Sequence, residues 1–196
     1  MKKVDEITGI ILAGGRNQRM GQNKALINWR GKRLIDWVYD ALKPLCSSII
    51  ISSNEIIPMP KEALIVPDRH KNIGPAAGIE SGLFHSQTQL NIIVSCDTPL
   101  LSTSFFSYLL SRHNDFEISI PIHNGINEPM IGIYKRSVLP AFQEAISRGL
   151  HKPPAIIRSC RFQEIQVDEN MNFYNPDLFL NLNSPEDLKN YEHEKN

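Results

Sequence analysis

Short apolar runs and longer helical segments alternate along these 196 residues, and that alternation limits the fold more than any other feature of the chain. Ile7–Leu12 reads as a buried strand. In Arg33–Leu45, Leu34, Ile35, Val38, Ala41 and Leu42 fall at helical spacing. Ser48–Ser52 is a β-branched run, and Ala63–Val66 is a second short strand-like segment. Pro75–His85 predicts a helix opened by proline, with Ala76, Ala77, Ile79 and Leu83 inward. Leu90–Cys96 predicts another buried strand, and Ser102–His113 an amphipathic helix capped by Ser102 or Thr103. Ile118–Ile122 and Met130–Tyr134 read as later strands, and Ser137–Arg148 and Ser184–Tyr191 as the last strong helices, before a fraying tail at His193–Asn196. Strands alternating with helices imply an α/β fold of three layers, a mostly parallel sheet with helices on both faces. No linker or repeat divides the chain, so residues 1–196 are expected to form one domain.

The loop after the first strand is unusual. Within eleven positions it holds Gly14, Gly15 and Gly21 together with Arg16, Arg19 and Lys24. Glycines let backbone approach a bulky anion, and the side-chain cations supply matching charge. The spacing is not that of a Walker A loop, because Gln22 follows Gly21 and Ala25 follows Lys24, and no G-x-G-x-x-G occurs. Side-chain cations suit a highly charged ligand such as a triphosphate; the bland alternative is a solvated surface turn. The first 45 residues carry nine Lys/Arg against four Asp/Glu, and the remainder twelve against seventeen, so positive charge collects in the part that contains this loop.

In an open α/β sheet, ligands bind beyond the carboxyl ends of the strands where strand order reverses. Four loops qualify: the glycine run, Ser53-Asn54, Pro67 to Pro75, and Asp97-Thr98-Pro99-Leu100. Asp97 follows an apolar strand and could hold a divalent cation or simply start a turn. Asp68 has the same two readings, Lys24 could reach phosphates or lie on the surface, and Gly74–Gly78 could admit a ligand or serve helix packing. Cys46, Cys96 and Cys160 form no C-x-x-C pair and read as reduced thiols of a cytoplasmic protein. The six histidines lack zinc spacing, His70, His85 and His113 read as solvated or satisfied, and Trp29 and Trp37 as packing residues. A net charge of zero argues against a nucleic-acid binder, and no apolar run reaches membrane-spanning length.

Leu12-Ala13-Gly14-Gly15, Arg19-Met20-Gly21, Lys24-Ala25-Leu26 and Gly31-Lys32-Arg33-Leu34 resemble the opening of nucleotidyltransferases of the nucleotide-diphospho-sugar type, whose fold is Rossmann-like. The likeness continues through Gly74–Ile79, Cys96-Asp97-Thr98-Pro99, Glu128-Pro129 with Gly132-Ile133-Tyr134, and Asn181–Leu188, and within that superfamily it is nearest to the molybdenum cofactor guanylyltransferases. The resemblance implies transfer of GMP from GTP to molybdenum-bearing molybdopterin. It implies nucleotide contacts at Leu12, Ala13, Gly14, Gly15, Ser52, Asn54, Asp68 and Gly78, with catalytic roles for Arg19, Lys24 and Asp97. Asp97 would hold Mg²⁺, with Mn²⁺ as the alternative, and Asn181 and Asn183 would face the acceptor. Two places depart from the pattern: Ser52 stands where relatives often carry Asn, and Gly149 leads to Leu150-His151-Lys152 where they often carry Arg. Expected partners are the two substrates and a molybdoenzyme or cofactor-handover protein. The competing readings are a transferase using CTP or a sugar phosphate, and a nucleotide-binding regulator without catalysis.

Overall fold

A computed structural model describes residues 6–14, 23–182, Asp187 and Tyr191. Ten strands and five helices are described: β1 (Ile7–Leu12), β2 (Asn28–Trp29), β3 (Lys32–Arg33), α1 (Leu34–Leu42), β4 (Ser48–Ser52), β5 (Ala63–Val66), α2 (Pro75–His85), β6 (Leu90–Ser95), α3 (Thr103–Arg112), β7 (Ile118–His123), β8 (Ile126–Asn127), β9 (Gly132–Lys135), α4 (Leu139–Ser147), α5 (Pro153–Ile157) and β10 (Phe162–Gln166). The main sheet runs β10-β7-β9-β6-β1-β4-β5, with β8 on β7 and a separate β2–β3 hairpin. Pairing is parallel for β1 with β4 and β6, for β4 with β5, and for β7 with β10; β9 is antiparallel to both β6 and β7. The sheet is therefore mostly parallel, as expected.

The two-residue period of the strands splits the core into two layers. Ile11, Ile49, Ile51, Ile92 and Val94 face one side, where they meet Ile35, Val38 and Leu42 of α1 and Phe105, Phe106 and Leu109 of α3. Ile10, Leu12, Ile50 and Ile93 face the other, against Ala76, Ile79 and Leu83 of α2 and Phe142 and Ile146 of α4. Most of these side chains are fully buried, each worth roughly 1.5–3 kcal/mol of transfer free energy. Ser102 caps α3 by accepting a hydrogen bond from the Phe105 N–H at 3.2 Å, as predicted.

Several boundaries differ from expectation. The helix predicted over Arg33–Leu45 occupies Leu34–Leu42, because Lys32 and Arg33 pair with Asn28 and Trp29. The strand predicted over Met130–Tyr134 is Gly132–Lys135, and the helix predicted from Ser137 begins at Leu139 after a 3-10 turn at Arg136–Val138. The helix predicted over Ser184–Tyr191 lies outside the described residues except for Asp187 and Tyr191, and the tail His193–Asn196 lies wholly outside them.

α2 is the helix that positions the site. Its residues Ala76 to Leu83 are all buried between the sheet and α4, which demands small side chains. Gly82 shows the limit: a Cβ there would stand 2.4 Å from Ile10 Cγ2 in the middle of β1. Ala is favoured over Gly in a helix by about 1 kcal/mol, but overpacking a core costs about 1–3 kcal/mol, and the clash dominates. Gly82→Ala is therefore expected to lower the denaturant midpoint by a net loss on the order of 1 kcal/mol or more. An unchanged or raised midpoint would show that α2 can shift off the sheet.

Candidate functional site

The chain order places β4 and β5 on one side of β1 and β6 on the other, so strand order reverses between β1 and β6. Backbone bonds hold the ends of these strands together. The Ala13 N–H donates to Ser52 O at 2.9 Å, the Cys96 N–H to Leu12 O at 3.1 Å, and the Ser53 N–H to Val66 O at 2.9 Å. A cavity of about 370 Å³ opens there, its wall including Leu12, Gly14, Ser52, Asn54, Asp68 and Gly78. Six of the expected nucleotide contacts thus share one cavity. Ala13 is buried beside it, whereas Gly15 lies outside the described residues.

Asp68 is the hub of this cavity. Ser52 Oγ donates to Asp68 Oδ1 at 2.9 Å, and Asn54 Nδ2 donates to Asp68 Oδ2 at 2.9 Å. The Asp68 N–H in turn donates to Asn54 Oδ1 at 3.0 Å. Ser52, which stands where an Asn was expected, and Asn54 therefore both orient the same carboxylate. Gly14 and Gly78 keep the space clear. A Cβ on Gly78 would come within 3.2 Å of both Leu12 Cδ2 and Ser52 Oγ, and one on Gly14 within 3.6 Å of Asp68 Oδ2. Gly74, with φ of +90°, turns the chain into α2 immediately before Pro75.

A second group stands beyond β6. Lys24 lies on the 3-10 turn Lys24–Leu26, fixed by Asn23 Oδ1, which accepts from the Ala25 N–H at 3.0 Å, and by fully buried Ala25. Its ammonium is ion-paired with Asp97 Oδ2, with only 14% and 11% of the two side chains exposed. The surface-lysine reading of Lys24 is thereby excluded. Asp97 Oδ1 is buried without a hydrogen-bond partner among the described residues. A carboxylate oxygen so placed fits a cation ligand. No group of three or more His, Cys, Asp and Glu suited to a metal occurs among the described residues. Lys24 and Asp97 do not line the 370 Å³ cavity; Ser95, at the end of the strand that leads to Asp97, does. The Leu182 N–H donates to Asp97 O at 2.9 Å, which brings Asn181 beside this group. Arg19 and Asn183 lie outside the described residues.

Sequence reasoning gave no role to Glu128, which faces Asp97. Burial and the negative charge of Asp97 push its carboxyl above the ordinary range. No spacing signal links residues 97 and 128; only the antiparallel return of β9 brings them together. The thiol of Cys96, beside Asp97, is pushed up to about 12 by burial and so stays protonated. His85 Nδ1 bonds Ser81 O at 2.8 Å and His113 Nδ1 bonds Ser119 Oγ at 2.6 Å, while His113 Nε2 is buried without a hydrogen-bond partner among the described residues.

The fold is one shared with solved nucleotidyltransferases. The solved structure of molybdopterin-guanine dinucleotide biosynthesis protein A from Archaeoglobus fulgidus superimposes with a TM-score of 0.78 at 24% identity, over 96% of this chain and 98% of that one. The MobA-like NTP transferase domain matches residues 9–164, and the chain belongs to that family. A molybdenum cofactor guanylyltransferase of Vibrio vulnificus is 31% identical over 93% of each chain. A Flavobacterium johnsoniae protein described as a probable enzyme of the same name is 32% identical over 94% of this chain and 96% of its own.

The raised Glu128 carboxyl has a consequence for stability. Folding disfavours its ionised form, so the penalty is absent below the ordinary value of 4.5 and full once pH exceeds the raised folded value. In the metal-free protein, Glu128→Gln is expected to raise the Tm near pH 7, with a gain that disappears as pH falls to about 4. A gain independent of pH would show that Glu128 is not held above its ordinary range.

Proposed function

We propose that the protein transfers GMP from GTP to the terminal phosphate of molybdenum-bearing molybdopterin, releasing pyrophosphate. The observation that carries this reading is the pairing of Lys24 with Asp97 beside a cavity whose inner wall presents an oriented carboxylate, Asp68. The names of the relatives at 31–32% identity support the choice of acceptor and nucleotide.

Asp68 favours guanine on chemical grounds. A carboxylate only accepts hydrogen bonds, and guanine offers it two adjacent donors, N1–H and the 2-amino group. Cytosine and adenine each set an acceptor next to their amino donor, which a carboxylate repels. With Asp68 Oδ1 fixed by Ser52 at the end of β4 and Oδ2 by Asn54 in the loop after it, the remaining lone pairs have a defined direction.

The nucleophile is an oxygen of the acceptor phosphate, whose second pKa of about 6 leaves it largely ionised at neutral pH. It attacks the α-phosphorus of GTP; the new P–O bond forms as the bond to the β-phosphate oxygen breaks, and pyrophosphate leaves with that electron pair. No general base is required, which agrees with a protonated Cys96 and engaged histidines. The obstacle is repulsion between anions, and the chain's contribution is positioned charge. Lys24 screens the phosphates, and Arg19 serves the same purpose from the glycine loop. Asp97 would hold Mg²⁺, which when bound neutralises triphosphate charge and stabilises the leaving pyrophosphate. Asn181 and Asn183 face the acceptor.

Asp97→Asn keeps the shape of the side chain and removes its charge. It is expected to lower the rate of pyrophosphate release from GTP and molybdopterin by about 100-fold or more at saturating Mg²⁺, with the Tm preserved within a few degrees. Lys24→Ala is expected to weaken GTP binding by calorimetry and to slow transfer. Near-normal turnover in Asp97→Asn would remove the metal role, and equal binding of GTP, CTP and ATP by the unaltered protein would remove the guanylyl assignment.

A further inference from the structure

Glu80 is the most costly residue in the fold to explain by packing. It lies in the middle of α2, is fully buried, and keeps Oε2 without a hydrogen-bond partner among the described residues. Its other oxygen, Oε1, is ion-paired with the Arg69 guanidinium and accepts from Gln143 Nε2 of α4 at 3.0 Å. Glu80 is fully buried while Arg69 reaches solvent, and a buried charge paired in this way is weak evidence for stability, since an apolar residue of similar volume commonly serves as well or better. What the pair does have is a position. Arg69 directly follows Asp68, its N–H donates to Ser81 Oγ of α2 at 2.8 Å, and its guanidinium lies 3.8 Å above the Phe84 ring. The Asp68 carboxylate is thus held by Ser52 at the end of β4 and Asn54 in the loop after it, while the next residue, Arg69, is held by α2 through Ser81 at its backbone and Glu80 and Phe84 at its side chain.

We propose that the pair of buried Glu80 with the more exposed Arg69, braced by Gln143, is a positioning device that fixes the loop carrying Asp68 and so sets the selectivity of the site for the base. The proposal rests on the reading of Asp68 as the base contact. Neither Glu80 nor Arg69 lines the cavity, so they act through the loop and not on the ligand. The geometry explains why the carboxylate stands in α2 and not in the loop: a helix wedged between sheet and α4 cannot follow the loop, so a bond to it transfers rigidity. It also explains the demand for a charge, because a guanidinium carried on a loop needs a fixed anion to define its direction, and stacking on Phe84 alone does not supply one.

The test uses the full chain, Mg²⁺ and two nucleotides, GTP and ITP, which differ only in the 2-amino group that meets Asp68. Losing a hydrogen bond to a charged group corresponds to about tenfold or more in Kd, so the unaltered protein is expected to prefer GTP by that factor. Glu80→Gln, and the double variant Glu80→Gln with Arg69→Gln, are expected to bring the GTP/ITP ratio to within about threefold, chiefly by weakening GTP. The double variant leaves no buried unpaired charge, so it keeps the question answerable if the single variant folds poorly. Variants that lose Tm, or bind both nucleotides more weakly, yet keep the ratio would overturn the proposal and leave the pair a structural one. Asp68→Ala separates the two levels. If it leaves the ratio intact, the base reading itself fails. If it abolishes the ratio while the Glu80 variants do not alter it, the positioning role alone fails.

Discussion

The site depends on β1 lying in the interior of a parallel ladder, between β4 and β6. Parallel strands end on the same edge, so each contributes its following loop to one crevice. The register aligns Leu12 with both Ser52 and Ser95, which sets the residues that follow these strands side by side. Nothing else in the molecule could bring residues 14, 54, 68 and 97 to one place, since no two of them are close in the chain. The requirement on sequence is severe but simple: β1, β4 and β6 must be apolar on both faces, and they are. A polar residue admitted to these strands needs a partner, as Thr8 shows by bonding the Ser48 and Thr88 hydroxyls at 3.0 and 2.8 Å.

That dependence accounts for what could be read in advance. Continuous Ile/Val runs mark strands buried on both faces, so β1, β4 and β6 were legible with the loops that follow them and Asp97, as was the shorter β5 with the loop that carries Asp68. Signals fail where an element is short or half-exposed. β2, β3 and β8 have two residues each, too few for any period, and α5 has five residues, two of them proline. β10, Phe162-Gln-Glu-Ile-Gln, lies at the sheet edge with one buried side chain, so it carries no apolar run. The antiparallel direction of β9 is set by where the chain returns and not by its composition. The burial of Glu80, and of Glu128 beside Asp97, was illegible for the same reason, although Glu128-Pro129 stood among the motifs of the resemblance. A carboxylate in a helix or after a hairpin is ordinary in sequence, and only the tertiary arrangement buries it.

The crevice divides into two halves with opposite physical character. Around Asp68 the donors and acceptors are fixed and neutral except for one carboxylate, and the surrounding glycines leave room for a flat group against the backbone. Such a half discriminates by direction of hydrogen bonding, where an unpaired group is the main cost. Around Lys24 and Asp97 the groups are charged and screened from water. Such a half works by charge placed before the ligand arrives, where low dielectric strengthens each interaction.

Separating the two halves has a consequence for the proposed reaction. In that proposal base recognition would be strict without rigid contact at the reacting phosphorus, because the base would be held beyond β4 and β5 and the phosphates beyond β6. The reacting half can then tolerate the charge redistribution that accompanies pyrophosphate departure. Its pairing of Lys24 with Asp97 fits this need. Before substrate binds, the ammonium neutralises the one carboxylate that would otherwise stand buried and unpaired. In the proposed reaction a triphosphate would offer new partners to Lys24, and Asp97 would be left to hold a divalent cation. The pair that stabilises this half of the crevice is in this way the pair that the proposed substrate would divide.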